Sequence, residues 1–369
     1  MPAPDTILVQ RSPGETRYAL LAGETLIEVA HRRDAAMQAG AVYLGRIGAG
    51  VPGVAAVFIE LGTGLSGVLP MKGRAPPQGT AVPVVVIVPA RGDKGPELKP
   101  AEAEVPAGAK APTLLKSAPE PVADWWQCYR DGITSIVCAP RRETARVKAL
   151  LDQDAPVEEG SGDVFAAYGV DEAIEAALGP IVPLPSGGSL IIESTAAVVA
   201  IDINSGAADP TVANKEAVAA VAVELRRRNI AGHILVDIIP TRRRSEFPRL
   251  LADALSPDPI AAHIAGLTPL GMIELTRRRV GLSLAEILTG VDGALTPASV
   301  AYKLLRDAVR FAHDEKAAGV TATAAPDVVA ALQGPLRAAL DEARDEIKGE
   351  ITLTVREDFA RPRFEIKRA

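Results

Sequence analysis

Val198-Val199-Ala200-Ile201-Asp202-Ile203-Asn204-Ser205-Gly206 decides how this chain folds, because it sets one carboxylate inside a run of aliphatic, mostly β-branched residues and closes on a turn signal. The pattern returns at Ile234-Leu235-Val236-Asp237-Ile238-Ile239. Each run reads as a strand buried on both faces. An ionised carboxylate buried there without a partner costs several kcal/mol, so burial of Asp202 and Asp237 requires a compensating cation.

Between the two runs, Asn214 to Asn229 (NKEAVAAVAVELRRRN) carries apolar positions at helical spacing, an acidic start and a basic end. Strand, helix and strand in this order make a right-handed crossover with parallel strands. Asp202 and Asp237 then emerge on the same C-terminal edge of the sheet, where such folds bind ligands. The side-chain period of two puts Asn204 on the face of Asp202. Two carboxylates and an amide are hard oxygen donors that suit a magnesium ion keeping several waters and taking further ligands from a phosphate. A single such Asp is more simply read as a cap on backbone amides; two on one edge favour the metal site. Arginine triplets at Arg226 to Arg228, Arg242 to Arg244 and Arg277 to Arg279 bracket the carboxylates. Any one triplet is an ordinary solvated helix face, but their clustering points to phosphate recognition.

Several stretches, in order, closely resemble the signature of the ribonuclease E/G family. They are Leu184-Pro185-Ser186-Gly187-Gly188-Ser189-Leu190-Ile191-Ile192-Glu193-Ser194-Thr195 running on into Ala200 to Gly206, then Glu224-Leu225-Arg226-Arg227-Arg228-Asn229-Ile230-Ala231-Gly232, the Asp237 strand, and Gly271-Met272-Ile273-Glu274-Leu275-Thr276-Arg277-Arg278-Arg279. The resemblance implies a magnesium-dependent endoribonuclease, with manganese able to substitute, that cuts single-stranded RNA and leaves a 5′-phosphate. Asp202 and Asp237 would hold the metal, and Asn204 would hydrogen-bond the scissile phosphate. Arg242, Arg243, Arg277 and Arg279 would contact RNA. His233, four residues before Asp237 on the same strand face, is too far from it to act as a base and reads as structural.

Ala41 to Ile47, Ala55 to Leu61 and Val82 to Val88 are short β-rich runs separated by Gly and Pro turns, the pattern of a small barrel. With Gly62 to Pro70 and Arg91-Gly92-Asp93-Lys94-Gly95, this stretch resembles the S1-type OB-fold RNA-binding domain of the same family. Phe58 would be a base-stacking platform and Lys94 a phosphate or base contact. From periodicity alone, Phe58 fits the barrel core equally well. The family has a second aromatic where this chain has Val68. Thr6 to Val9 and Arg17 to Val29, turning at Gly23, read as strands. Tyr129 to Val137 resembles the family's ribonuclease-H-like subdomain, so the barrel is an insertion in it.

Three departures stand out. Where the family carries a subdomain that grips a 5′-monophosphate, Lys99 to Ala111 is a short Ala- and Pro-rich linker with two lysines and no arginine. Where the family commonly has a Cys-Pro-x-Cys zinc link, this chain reads Thr289 to Thr296 without a thiol, so no zinc is expected. Pro259 to Leu270 holds His263 but no Lys or Arg, where the family often has a basic residue.

The expected architecture is a multidomain α/β chain. It has a ribonuclease-H-like subdomain (1–37 and 112–180) interrupted by the OB-fold barrel (38–98) and the linker (99–111), a DNase-I-like α/β catalytic domain (181–294) and a small α+β domain (295–369). In the last, Val300 to Glu315 and Ala325 to Ile347 read as helices, Gly319 to Thr323 as their spacer, and Glu350 to Glu357 and Pro362 to Lys367 as strands. With 369 residues, 48% hydrophobic, the chain has ample material for packed cores. A net charge of −6 argues against broad electrostatic adhesion to nucleic acid and confines RNA contact to local surfaces. Cys128 and Cys138 lack metal-ligand spacing, and no stretch has signal-peptide or membrane-span length, which fits a reducing cytoplasm. The catalytic and small domains are the surfaces through which a homodimer would form. Two other functions stay open: an RNA-binding or regulatory protein too weak to cleave, and a phosphodiesterase acting on another ester.

Overall fold

The computed structural model describes residues 1–92 and 94–369; Asp93, in the loop quoted above, lies outside the described residues. The chain divides into two compact units. One comprises Met1, Met37–Glu120 and Gly179–Ser283, and the other Pro2–Ala36, Pro121–Leu178 and Leu284–Ala369. The fold is mixed α/β with a closed five-stranded barrel.

Strands β1 (Thr6–Ser12), β2 (Glu15–Ala22) and β3 (Thr25–Arg33) form an antiparallel meander, and Gly23 takes the left-handed conformation the β2–β3 turn requires. The barrel follows as β4 (Val42–Gly50), β5 (Ala56–Glu60), β6 (Gly67–Pro70), β7 (Ala81–Val88), β8 (Glu97–Pro100) and β9 (Thr113–Lys116). Its strands run in the order β5-β6-β8-β7-β4, and pairing of β4 with β5 closes the ring around Ile47, Val57, Ile59, Leu69, Val84, Val86 and Leu98. Closure leaves these strands no free edge and fits an OB-like domain. Two expected boundaries shift. Lys99 and Pro100 belong to β8, and Thr113–Lys116 pairs with β4, so it extends the barrel rather than resuming the outer subdomain.

The chain then forms α1 (Pro121–Tyr129), β10 (Ser135–Ala139), α2 (Arg141–Leu150), β11 (Val157–Glu159), α3 (Val164–Ala167) and α4 (Val170–Leu178). β10 pairs parallel with β1, giving the sheet order β11-β10-β1-β2-β3. Two segments separated in sequence by the barrel therefore build one sheet. Within this unit lies a buried ion network. The Glu15 carboxylate, 1% exposed, accepts from Arg306 (2.7 Å), Arg33 (2.9 Å) and His31 Nδ1 (3.2 Å). Burial opposes its charge, yet His31, Arg306 and Arg33 hold it well below the usual carboxylate range. Burial pushes the His31 imidazole below its ordinary value against the pull of Glu15.

In the other unit, β12 (Ile181–Pro183), β13 (Ser189–Ser194), β14 (Val199–Asn204), α5 (Pro210–Arg227), β15 (Gly232–Asp237), α6 (Phe247–Leu255), β16 (Ala262–Leu267) and β17 (Ile273–Arg277) form a sheet of order β12-β13-β14-β15-β17-β16. Ala217, Val218, Val221, Ala222 and Leu225 of α5, with Phe247, Leu251 and Leu255 of α6, pack on Ile201, Ile203, Ile234, Val236, Ile273 and Leu275. Each fully buried aliphatic side chain contributes about 1.5–3 kcal/mol. The opposite face is left open, so β14 and β15 are buried on one face rather than both.

The last segment comprises α7 (Leu284–Leu288), α8 (Pro297–Asp314), β18 (Gly319–Ala324), α9 (Pro326–Gln333), α10 (Arg337–Ile347), β19 (Glu350–Val355) and β20 (Phe364–Arg368). Gly319 to Thr323, expected as a spacer, begins the central strand of the sheet β19-β18-β20 and buries Val320, Ala322 and Ala324 on its helix-covered face. The long helix expected at Ala325 to Ile347 breaks at Gly334-Pro335. Among the described residues no helix is long and apolar enough to cross a membrane.

Candidate active site

β14 and β15 run parallel, and their register pairs Asp202 directly with Asp237. Neighbouring strands lie about 4.8 Å apart, and both residues have outward parity, so two carboxylates stand side by side at the C-terminal edge. Asn204, two residues on, shares the face, and its Nδ2 donates to Asp202 Oδ2 at 3.2 Å. Among the described residues neither carboxylate makes an ion pair. Adjacent like charges with no protein cation and an amide beside them are a donor set that fits a hard divalent ion.

These groups are exposed, which corrects the expectation that burial demands the cation: α5 and α6 cover only the other face. Two local devices fix the edge. At Gly188 a Cβ would lie 2.3 Å from the Asn204 carbonyl oxygen, and at Gly206 one would lie 2.6 Å from that of Gly187. Only glycine lets the Pro185 to Gly188 turn pack against the end of β14. Ser186 anchors that turn, its backbone N–H and Oγ donating to the Glu216 carboxylate at 3.0 and 2.7 Å. The second device is Asn214, fully buried near the start of α5. Its Nδ2 donates to the Ile239 carbonyl at 2.8 Å and its Oδ1 accepts from the Ile239 N–H at 3.0 Å. That pair ties α5, which follows Asp202, to the backbone just beyond Asp237. Sequence reading missed Asn214, although a polar residue on the apolar stripe of a helix was the signal.

The arginines divide sharply. Arg242, Arg243 and Arg244 are exposed on the loop beyond β15, without ion pairs among the described residues, and Arg244 Nη1 lies 3.4 Å from where a Gly271 Cβ would be. Arg277 is a correction. It is 2% exposed, donates to Asp258 Oδ2 at 2.8 Å and to the Ile230 carbonyl at 2.9 Å, and cannot reach RNA. Its place on β17 has the parity of Ile273 and Leu275, so it points into the helix-covered core. Arg279 is half-buried. Arg227 and Arg228 pair with buried Glu224, so the first triplet is structural. On the barrel, Phe58 lies between buried Val57 and Ile59 and is itself only half-buried, on the outer surface directly opposite Val68. That placement removes the barrel-core alternative. Lys94 is exposed.

A model of the ribonuclease E/G family matches residues 99–280, the span that contains Asp202, Asn204 and Asp237. Over that span the chain is similar to the ribonuclease E/G family. It is 36% identical over 192 residues to ribonuclease G of Haemophilus influenzae, which is 45% of this chain and 39% of that protein. It is 32% identical over 225 residues to ribonuclease G of Salmonella typhimurium, 56% of this chain and 46% of the relative. To ribonuclease E of Nostoc it is 44% identical over 135 residues, 34% and 20% of the two chains. The alignments thus cover less than half the length of these ribonuclease E/G relatives.

Proposed function

We propose that this chain is a magnesium-dependent endoribonuclease that cuts single-stranded RNA to leave 5′-phosphate ends. The observation that carries this reading is the Asp202–Asp237 pair, in register across parallel strands, exposed and without an ion-pair partner among the described residues. Asp202 and Asp237 would hold the ion, which when bound supplies charge neutralisation at phosphorus and an activated water. Asn204, its amide already turned toward Asp202, positions a non-bridging phosphate oxygen by hydrogen bonding. Arg242, Arg243 and Arg244 neutralise flanking phosphates from the loop beyond β15. Arg244, beside Gly271, supplies a cation near the turn whose own sequence lacks one. Attack by water with loss of the 3′-oxygen leaves the phosphate on the 5′ side of the downstream product. On the barrel, Phe58 stacks a base and Lys94 contacts the backbone, holding the single strand.

The same reading makes the barrel an S1-type domain inserted in a ribonuclease-H-like subdomain and the site a DNase-I-like one. It leaves the Lys99 to Ala111 stretch without 5′-end sensing and the Thr289 to Thr296 turn without zinc. An end-labelled single-stranded oligoribonucleotide incubated with magnesium and mapped at both termini tests it. Internal cuts with 5′-phosphate ends, lost in Asp202→Asn, support the reading. Absence of cleavage in the unaltered protein, or undiminished cleavage in Asp202→Asn, overturns it in favour of an RNA-binding role.

A further inference from the structure

The open face of the sheet does not end at the carboxylates. One row further from the edge, pairing in register, stand Glu193, Ala200, Leu235 and Glu274. In the next row Thr276 of β17 is flanked by His233 of β15 and His263 of β16. Both histidines are exposed, and among the described residues neither makes a hydrogen bond or ion pair. His233 is therefore not the structural residue its sequence position suggested. The two imidazoles stand two strand spacings apart, about 9.6 Å, and His233 lies about 13 Å along its strand from Asp237. Half of the chain's 4 histidines thus meet on one row of one sheet.

We infer that His233, Thr276 and His263 form a subsite for an unpaired RNA base near the cut, a role that rests on the endoribonuclease reading above. The face itself selects the base rather than the phosphate. Glu193 and Glu274 repel a polyanionic backbone from the intervening row, while Ala200 and Leu235 between them offer a small apolar floor. A strand crossing from the carboxylates must turn its bases toward the sheet and its phosphates toward solvent. An imidazole is both an aromatic plate for stacking and a hydrogen-bonding group for a base edge, and Thr276 adds a hydroxyl between the two plates. An extended single strand covers the span from Asp237 in about two nucleotides.

The test uses a set of oligoribonucleotides, each with one abasic nucleotide at a successive position on either side of the cut. In the unaltered protein KM should rise about tenfold for one abasic position, about two nucleotides from the cut. The H233A/H263A variant should raise KM for the intact substrate by a similar factor, keep kcat and the thermal midpoint, and erase the penalty at that position alone. An abasic profile identical in the variant and the unaltered protein overturns the subsite. Binding of the same oligonucleotides to Asp202→Asn is measured in parallel by fluorescence anisotropy, with and without the histidine changes. That arm reads the subsite even if no cleavage occurs, so failure of the subsite and failure of the nuclease reading give different results.

Discussion

The two sheets that flank the barrel in sequence treat charge in opposite ways. In β11-β10-β1-β2-β3, Glu15 is buried and surrounded by His31, Arg33 and Arg306. In β12-β13-β14-β15-β17-β16, Asp202 and Asp237 are exposed and pair with no cation among the described residues. The contrast shows that in this molecule a buried charge marks structure, since desolvation forces the fold to supply partners, whereas an uncompensated pair at a solvent-facing edge marks a site that takes its counter-charge from elsewhere.

Exchanging one charge in each sheet puts the contrast to its hardest test. Asp202→Asn or Asp237→Asn should lower cleavage by about a thousandfold or more, roughly 4 kcal/mol of transition-state stabilisation. Unfolding midpoints should barely move, because an exposed like-charge pair loses one charge. Glu15→Gln should do the reverse. It strands Arg33 and Arg306 in a buried setting and should cost about 3–5 kcal/mol in denaturant titration, with cleavage per folded molecule unchanged. A destabilised Asp202→Asn or an inactive but stable Glu15→Gln would break the comparison.

The pH dependence of stability sharpens it. His31 has a folded value below its ordinary 6.5, so the unfolded chain takes up the proton first and stability falls as pH drops below about 6.5. The depressed Glu15 contributes stability above its ordinary 4.5 and loses it as pH falls through its lower folded value. Thermal midpoints from about pH 7.5 to about pH 5.5 should decline, and His31→Gln should flatten that slope. A flat profile in the unaltered protein would show that burial of His31 carries no such cost.

Reading the sequence located the exposed pair but not its exposure. The spacing of Asp202 and Asn204 and the crossover to Asp237 are local rules, so the shared edge and shared face were legible. Whether the face is covered depends on which side α5 and α6 both choose, and no periodicity within the strand reports that. Arg242 and Arg277 sat in look-alike triplets with opposite fates, because one lies on a loop and the other at an inward position of β17. Thr113–Lys116 is too short to show a period, and its partner β4 lies far upstream. Gly319–Ala324 hid as a spacer because its core residues, apart from Val320, are alanines.

Two smaller effects concern the barrel and the linker. Val68→Tyr, directly across from Phe58, should tighten single-stranded RNA binding by about 1–3 kcal/mol, and Phe58→Ala should weaken it by a similar amount. Equal affinity in all three proteins would remove the outer barrel surface from the substrate path. The smallest expected difference is among 5′ ends. kcat/KM for one oligoribonucleotide carrying a 5′-monophosphate, 5′-hydroxyl or 5′-triphosphate should agree within about threefold, since a charge-assisted phosphate contact of ~1.5–3 kcal/mol would give tenfold or more. A monophosphate preference of that size would place a sensor elsewhere, with Arg242 to Arg244 the first residues to replace.

The interruption of one sheet by the barrel also sets a timetable for the nascent chain. β10, the parallel neighbour of β1, begins 129 residues after β1 does. At about 5–20 residues per second the ribosome needs roughly 6–26 s to deliver it. During that interval β1, β2 and β3 can form only a hairpin meander with one long edge of β1 unpaired, and Ile7, Leu8 and Val9 lie along that edge. The barrel, whose contacts are nearer in sequence, can close before β10 is available. Elongation speed and chaperone access through residues 37 to 134 should therefore govern the yield of folded protein more than any single core contact does.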